Sequence, residues 1–279
     1  MNNLTKSLAV LSVLCTVFSG SYVFAQGLGE ISRQAGMSEA SWYIGHSVWS
    51  SDGEILGQIS NLVIDKTNER VVLAVLSDVP GLETKVVAIP FASLTRTGKR
   101  LVISNYGLNE IWIRILNVNA YLNELKRDFN LVGLPSAIDP EWVYQIFLRY
   151  DQVPYWKEVG KNEKPLSEKD LYSLNKLMKS EVRSSRGKTE AQITDLIIDP
   201  SDGRVAFSIL THVSGRVDTK LAVPFGTLAM KDDNMFFINT TENMLAEAPM
   251  LNGDRIDLKW ASDVYKYFGL QPYWTEEGR

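Results

Sequence analysis

Two stretches of thirteen residues carry the pattern that decides the fold. The first, GEILGQISNLVID, covers residues 53–65, and the second, GKTEAQITDLIID, covers residues 187–199. Each contains apolar and β-branched residues in alternation and ends in an aspartate, which is typical of a strand that leads into a turn. The two stretches lie 134 positions apart, so the chain contains an internal repeat.

The repeat continues toward the C-terminus from these stretches. Residues 53–105 align without a gap on residues 187–239, and 16 of the 53 positions are identical. Most of the remaining positions exchange one apolar residue for another. The alignment therefore indicates two copies of one structural unit.

Each copy contains a series of predicted strands separated by turn residues. The predicted strands are Glu54–Ile64, Val71–Leu76, Lys85–Ile89 and Leu101–Asn105 in the first copy, and Thr189–Ile198, Val205–Leu210, Lys220–Val223 and Met235–Asn239 in the second. Pro90 and Pro224 end the third strand of each copy, because proline cannot donate a hydrogen bond to a strand ladder. Short strands with a turn between each predict two small antiparallel β-barrels in tandem.

An amphipathic helix follows each predicted barrel. In the first copy Asp139 is an N-cap, Pro140 occupies the first helical position, and apolar residues recur at helical spacing from Trp142 onward. In the second copy the same spacing begins at Trp260, and Gly269 ends the helix. The predicted fold class is therefore mainly β with accessory helices.

Both helices lead into a Pro-Tyr-Trp sequence. These two tails supply the candidate partner contacts, which are Tyr155, Trp156, Tyr273 and Trp274. Two interpretations remain open: the aromatic residues pack each helix onto its own barrel, or they form an exposed patch that a partner covers.

The offset between the two copies is 134 positions in the strands but 118 positions between the two tails. The first copy therefore carries 16 extra residues between residues 106 and 138. Apolar residues at helical spacing there (Leu116, Ala120, Leu122, Leu125, Phe129) predict one added amphipathic helix. Residues 157–169 are polar and charged, which predicts a linker. We therefore expect a first domain at residues 36–156 and a second domain at residues 170–279.

The N-terminal segment has the features of a secretory signal peptide. Lys6 precedes an apolar run, and Val23-Phe24-Ala25 supplies residues that signal peptidase accepts, which predicts cleavage after Ala25. The alternative is an uncleaved anchor in the inner membrane. We expect the mature protein to be periplasmic or secreted.

Composition narrows the function classes. The net charge is −4 and no cluster of lysine and arginine stands out, so nucleic acid is not an expected partner. One cysteine and two histidines, His46 and His212, do not form a zinc or haem pattern. Asp65 and Asp199 recur before turns, where an Asx-type hydrogen bond explains them. The sequence predicts no catalytic, cofactor-binding or metal-ligating residues.

The repeated pattern resembles the PRC-barrel family. The first copy carries the resemblance in Gly-x-x-x-Gly-x-Ile-x-x-Leu-x-Ile-Asp from Gly53 to Asp65, followed by Arg70 and by Ile89-Pro90-Phe91-x-x-Leu94. The second copy repeats it, with Ala191 in place of the second glycine. The resemblance implies an exported bacterial protein with two PRC-barrel-like domains.

In this family the barrel acts as a docking module, so the resemblance implies a non-enzymatic envelope protein that binds or assembles a protein partner. No cofactor is expected, and association with a membrane complex fits the same role. Two alternatives come from other classes: a small-ligand or lipid-binding protein that uses a barrel mouth, and an enzyme whose site is assembled from scattered residues.

Overall fold

The computed structural model describes residues 36–82, 85–103, 134–158, 163–184, 189–213, 219–232, 235–251 and 256–275. The predicted signal peptide at residues 1–25 and the added helix predicted around residues 116–129 lie outside these described residues.

The described elements follow the same order in the two halves of the chain. The first half contains β1 (Ser38–Glu39), α1 (Ala40–Tyr43), β2 (Ser47–Trp49), β3 (Ile55–Asp65), β4 (Arg70–Ser77), β5 (Val87–Pro90), β6 (Leu94–Thr97), β7 (Arg100–Ile103) and α2 (Pro140–Arg149). The second half contains β8 (Leu171–Ser173), α3 (Leu174–Leu177), β9 (Glu181–Ser184), β10 (Thr189–Asp199), β11 (Arg204–Thr211), β12 (Leu221–Pro224), β13 (Leu228–Asp232), β14 (Met235–Ile238), α4 (Glu242–Ala246) and α5 (Leu258–Tyr267). The fold is mainly β, as the sequence predicts.

The longest hairpin in each half forms where the repeat predicts it. β3 pairs with β4 and β10 pairs with β11, both antiparallel, through turns that begin at Asp65 and Asp199. Asp65 Oδ1 accepts a hydrogen bond from the Thr67 amide at 3.0 Å, and Asp199 Oδ1 accepts one from the Ser201 amide at 2.9 Å. These contacts confirm the predicted Asx turns.

The two predicted helices are capped as the sequence indicates. Asp139 accepts a hydrogen bond from the Glu141 amide at 2.9 Å at the start of α2, and Asp257 accepts one from the Trp260 amide at 2.7 Å at the start of α5. Each helix buries one apolar face against the strands, which is the source of most helix stability in proteins. The buried residues are Val143, Ile146 and Phe147 on α2 and Ala261, Val264 and Tyr265 on α5.

The strands do not form two separate sheets. They form one path of neighbouring strands, β13-β14-β9-β10-β11-β4-β3-β2-β7-β6, with β5, β12, β1 and β8 paired beside it. No strand pairing joins the two ends of this path within the described residues, so the sheet is open there. The sequence predicts two small antiparallel β-barrels in tandem, whereas the described strands of both halves belong to a single sheet.

The join between the halves has approximate two-fold symmetry. Arg70 on β4 pairs with Arg204 on β11. The Val71 amide donates to the Gly203 carbonyl at 2.8 Å, and the Val205 amide donates to the Glu69 carbonyl at 2.7 Å. The 134-residue offset of the repeat relates these two hydrogen bonds to each other.

The halves also exchange their first strands. β1 belongs to the first half but pairs with β10 of the second, through Ser38 and Ile198. β8 belongs to the second half but pairs with β3 of the first, through Tyr172 and Ile64. The two registers are equivalent under the repeat offset. Each long hairpin is therefore completed by a strand from the other half.

The hydrophobic core follows the same arrangement. One buried cluster contains residues of both halves, including Val63 and Leu73 from the first and Ile193 and Leu210 from the second. A smaller buried cluster lies under α5 and includes Phe207 and Tyr265. The main core is thus shared across the join.

One detail of the repeat alignment needs correction. In the β6–β7 hairpin Leu94 pairs with Ile103, whereas in the β13–β14 hairpin Leu228 pairs with Ile238. Leu94 and Leu228 are 134 positions apart, whereas Ile103 and Ile238 are 135 positions apart. The second hairpin therefore contains one additional residue, which a register shift in the pairing after Met230 accommodates.

Candidate functional site

The first tail is fixed to the hairpin turn of its own half. The Tyr155 hydroxyl donates a hydrogen bond to Asp65 Oδ2 at 2.7 Å, and the Arg70 guanidinium lies 5.0 Å from the centre of the Tyr155 ring. Asn68 Nδ2 donates to the same Asp65 oxygen at 2.6 Å. Burial raises the pKa of the Asp65 carboxyl, and these hydrogen bonds oppose that effect.

The second tail repeats this geometry. The Tyr273 hydroxyl donates to Asp199 Oδ2 at 2.9 Å, and the Arg204 guanidinium lies 5.0 Å from the centre of the Tyr273 ring. The pKa values of the Tyr155 and Tyr273 hydroxyls are raised above their ordinary range, first by burial and then by the neighbouring carboxylates. Both tyrosines therefore stay protonated and act as hydrogen-bond donors.

The two tryptophans of the tails pack edge to face against their own helices. The Trp156 ring lies 5.0 Å from the Phe147 ring of α2, and the Trp274 ring lies 5.2 Å from the Tyr265 ring of α5. Such aromatic pairs add stability beyond the area that they bury. Both tryptophans remain half-buried, so part of each ring lies at the surface.

The surface beside the two tails differs in polarity. Near Trp156 the side chains of Leu148 and Val153 are exposed, at 47% and 67% respectively. The offset of 118 positions between the tails places Lys266 and Gln271 at the equivalent positions, and both are exposed. Leu148 and Val153 thus have polar counterparts in the second tail, whereas the second tail exposes Leu270, at 38%, where the first tail has Gln152.

A polar centre joins the two halves. Glu163 Oε1 accepts hydrogen bonds from Arg70 Nη2 at 3.0 Å and from Arg204 Nη2 at 3.3 Å. Arg70 Nη1 also donates to the Asp202 carbonyl at 2.7 Å. The Glu163 and Arg70 side chains are only 13% and 7% exposed. Because each arginine also stacks on a tail tyrosine, the structure brings Tyr155 and Tyr273 to one centre, while Trp156 and Trp274 lie against separate helices.

Sequence reasoning did not find this polar centre. Its acidic residue, Glu163, lies in the predicted linker, and the adjacent Lys164 amide donates to Asn68 Oδ1 at 2.8 Å. The available signal was the identity of Arg70 and Arg204 in both copies, since an arginine conserved between repeats at a strand start suggests a shared contact. A polar composition alone does not distinguish a linker from a segment that fills an interface.

The described residues contain no group of three or more histidine, cysteine or acidic side chains arranged to hold a metal ion. The His46 ring lies 4.2 Å from the Trp42 ring, and His212 Nδ1 lies 3.0 Å from Thr211 Oγ1. No helix in the described ranges has the length and apolar character needed to cross a membrane.

Comparison with known proteins identifies the first half. Residues 36–109 match the PRC-barrel domain family, a range that begins just before β1 and ends after β7. The first half therefore contains a PRC-barrel domain. No curated protein matches the chain.

Proposed function

We propose that this protein is a non-enzymatic docking module of the bacterial envelope, built from two PRC-barrel-like units and dedicated to a protein partner. The PRC-barrel domain at residues 36–109 supports the class. The second half supports a second unit of the same kind, because it repeats the element order, the strand pairing and the tail geometry of the first.

The surface of the first tail is the observation that carries the docking proposal. Val153 is 67% exposed and Leu148 is 47% exposed, on either side of the turn that leads from α2 toward the half-buried Trp156. Exposed apolar residues beside an anchored aromatic ring are typical of protein interfaces. Tyr155 and Tyr273 use their hydroxyls inside the protein. Trp156 is therefore the residue of the first tail that faces the partner, and Trp274 is its equivalent in the second tail.

Site-specific photo-crosslinking in the native cell tests this role. A photo-reactive residue at position 153 or 148 should crosslink to one discrete protein. Position 271, the polar equivalent of 153 in the second tail, and position 55, where Ile55 is 46% exposed outside the tails, serve as matched controls. Crosslinks of equal yield at all four positions, or none at position 153, would contradict docking by the first tail.

Export is a separate part of the proposal. Cleavage after Ala25 would leave a mature chain that begins at Gln26. N-terminal sequencing of the protein from the envelope fraction should return Gln26. Recovery of a chain that begins at Met1 would favour the uncleaved anchor instead.

A further inference from the structure

The two halves contain equivalent sites, one of which the chain fills itself. In the second half Phe225 follows β12, and the turn of the first half reaches it across the join. The Lys66 ammonium lies 4.6 Å from the centre of the Phe225 ring, and the Glu69 carboxylate lies against Gly226, in the place that a Cβ there would occupy. A side chain at position 226 would therefore displace the Glu69 carboxylate.

The charges of these two side chains are partly removed from water. Burial lowers the pKa of Lys66 and raises that of Glu69, while the charge of each residue opposes the shift of the other. An ammonium and a carboxylate thus occupy this site as a mutually compensating pair. The equivalent residues in the turn of the second half are Pro200 and Gly203, which offer neither charge nor length.

The equivalent site in the first half is a cavity. Its volume is about 580 Å³. The apolar side chains of Phe91 and Leu94 line it, and Pro200 and Gly203 of the opposing turn face them. Arg96 and Asp202 contribute charged side chains. A cavity of this size fits a small ligand or a few side chains of a larger one. The turn of the second half has short residues beside this cavity where the first half has Lys66 and Glu69. Phe91 lies against Gly203, with its Cδ1 3.2 Å from the place that a Cβ at Gly203 would occupy.

The charged residues of the cavity distinguish it from the filled site. Arg96 corresponds to Met230, and Asp202 corresponds to Asn68, under the repeat offset. At the filled site Lys66 and Glu69 are charged, whereas Met230 and Asn68 are neutral. At the cavity Arg96 and Asp202 carry opposite charges, and among the described residues the turn at 199–204 supplies no counterpart to the Lys66 and Glu69 side chains.

We propose that this cavity binds a zwitterionic ligand, an ammonium and a carboxylate joined by a short aliphatic chain. The carboxylate pairs with Arg96, the ammonium pairs with Asp202, and the aliphatic chain lies on Phe91 and Leu94. This assignment is independent of the docking role, because it concerns a different surface from the tails.

The positions of the two charges support this orientation. The Arg96 guanidinium lies 4.1 Å from the centre of the Trp42 ring, and its Nη1 donates to Ser38 Oγ at 2.8 Å. A stacked arginine is preorganised to bind a carboxylate. The Asp202 side chain is 31% exposed, with Oδ2 at 3.7 Å from both Arg70 Nη1 and Arg204 Nε. Asp202 Oδ1 accepts a hydrogen bond from the Arg204 amide at 3.0 Å. A carboxylate accepts about four hydrogen bonds, so Asp202 keeps capacity for an ammonium on its exposed side.

The same chemistry has two sources: a free amino-carboxylic acid, and a polypeptide segment with lysine and glutamate three positions apart. Two probes separate them. The first is 6-aminohexanoate, compared with hexanoate and hexylamine, which each carry one of the two charges. The second is the capped peptide DKTNER, which copies residues 65–70 of this chain. Binding to the full ¹⁵N-labelled protein is followed through the amide signals of Gly98 and Gly203.

The variants use residues that the other half already carries. Arg96→Met and Asp202→Asn should each weaken 6-aminohexanoate binding about tenfold, since each removes a charge-assisted contact. The double variant Pro200→Lys with Gly203→Glu should fill the cavity and abolish binding. Glu69 shows that glutamate adopts this region of φ, at 55° against 74° for Gly203. The Phe91 ring has to shift to admit the new side chain, because its Cδ1 lies 3.2 Å from the place that a Cβ at Gly203 would occupy. Lys259→Met removes an exposed charge on α5 and should change nothing.

Each outcome decides the proposal. Selective binding of 6-aminohexanoate alone supports a free amino-carboxylic acid, and tighter binding of the peptide supports a polypeptide source. The proposal is overturned if neither probe shifts Gly98 and Gly203. It is also overturned if hexanoate or hexylamine binds as well as 6-aminohexanoate, or if both the Arg96→Met and the filled variant bind like Lys259→Met.

Discussion

The turn at residues 65–70 and the turn at residues 199–204 occupy equivalent places, yet they have opposite effects on the half that each one faces. The first turn places Lys66 over the Phe225 ring and Glu69 beside Gly226, whereas the second places Pro200 and Gly203 opposite Phe91, beside a cavity. Their first and last residues are identical, and the four residues between them all differ. The repeat thus preserves the backbone pairing and varies the side chains that face the partner half.

The largest expected difference between the two sites concerns the phenylalanines. Phe225→Ala should destabilise the protein by about 3–5 kcal/mol, because Phe225 is fully buried and its removal leaves a void beneath Lys66. Phe91→Ala should cost less, because the Phe91 ring already borders an open cavity. Urea denaturation of both variants measures the two free energies of unfolding. Leu270→Ala, at an exposed position, is the control, and equal losses for the two phenylalanines would remove the proposed difference.

The tail tyrosines should behave alike. Tyr155→Phe and Tyr273→Phe each remove one hydrogen bond to a buried aspartate, so each should cost about 1–3 kcal/mol. After Tyr155→Phe, Asp65 Oδ2 keeps the hydrogen bond from Asn68, which limits the loss. Thermal and urea denaturation of the two variants check this. A loss in only one of the two variants would show that the tails are not equivalent.

The filled site should add a small pH dependence. Burial raises the pKa of Glu69, so the folded state binds a proton more tightly than the unfolded state does. The stabilising effect of that proton is complete below the unfolded pKa of about 4.3 and is lost as the pH rises toward the folded pKa. Glu69→Gln does not titrate, so its stability relative to the natural protein should increase as the pH rises from about 4.3.

Free energies of unfolding at several pH values between about 4 and 7 test this expectation. Glu158→Gln, in the first tail, is a control for the loss of a carboxylate elsewhere. A constant difference between Glu69→Gln and the natural protein across this range would mean that Glu69 does not contribute to the pH dependence of folding.

Local patterns in the sequence predicted much of the fold. The hairpins β3–β4 and β10–β11 follow from strand periodicity and from Asp65 and Asp199, and the helices α2 and α5 follow from their caps and apolar spacing. These features depend on residues close together in the chain, so their physical causes are visible in a single sequence. The aromatic tails were also located correctly as a repeated feature, although their role as a partner surface remains a prediction.

The exchange of first strands was not visible in the sequence. β1 and β8 contain only two and three residues, and they pair with strands of the opposite half. So short a segment has no periodicity that reveals its partner. The polar centre was missed for a related reason, because Glu163 contacts Arg70 and Arg204, which lie far from it in the chain.

The exchange changes what is expected of the two halves in isolation. The sequence predicts separate domains at residues 36–156 and 170–279, joined by a linker. In the structure each long hairpin is completed by a strand from the other half, and the main buried cluster contains residues of both. We therefore expect the halves to form one cooperative folding unit.

Cleavage between the halves tests this central claim most directly. A protease site introduced at Asn162 allows the folded protein to be cut without denaturation. The two fragments should then remain together in size-exclusion chromatography and unfold in urea in one transition. Each separated fragment should lose cooperative unfolding as a monomer. Two fragments that elute apart as folded monomers, each with its own cooperative transition, would contradict the claim that the halves share one fold.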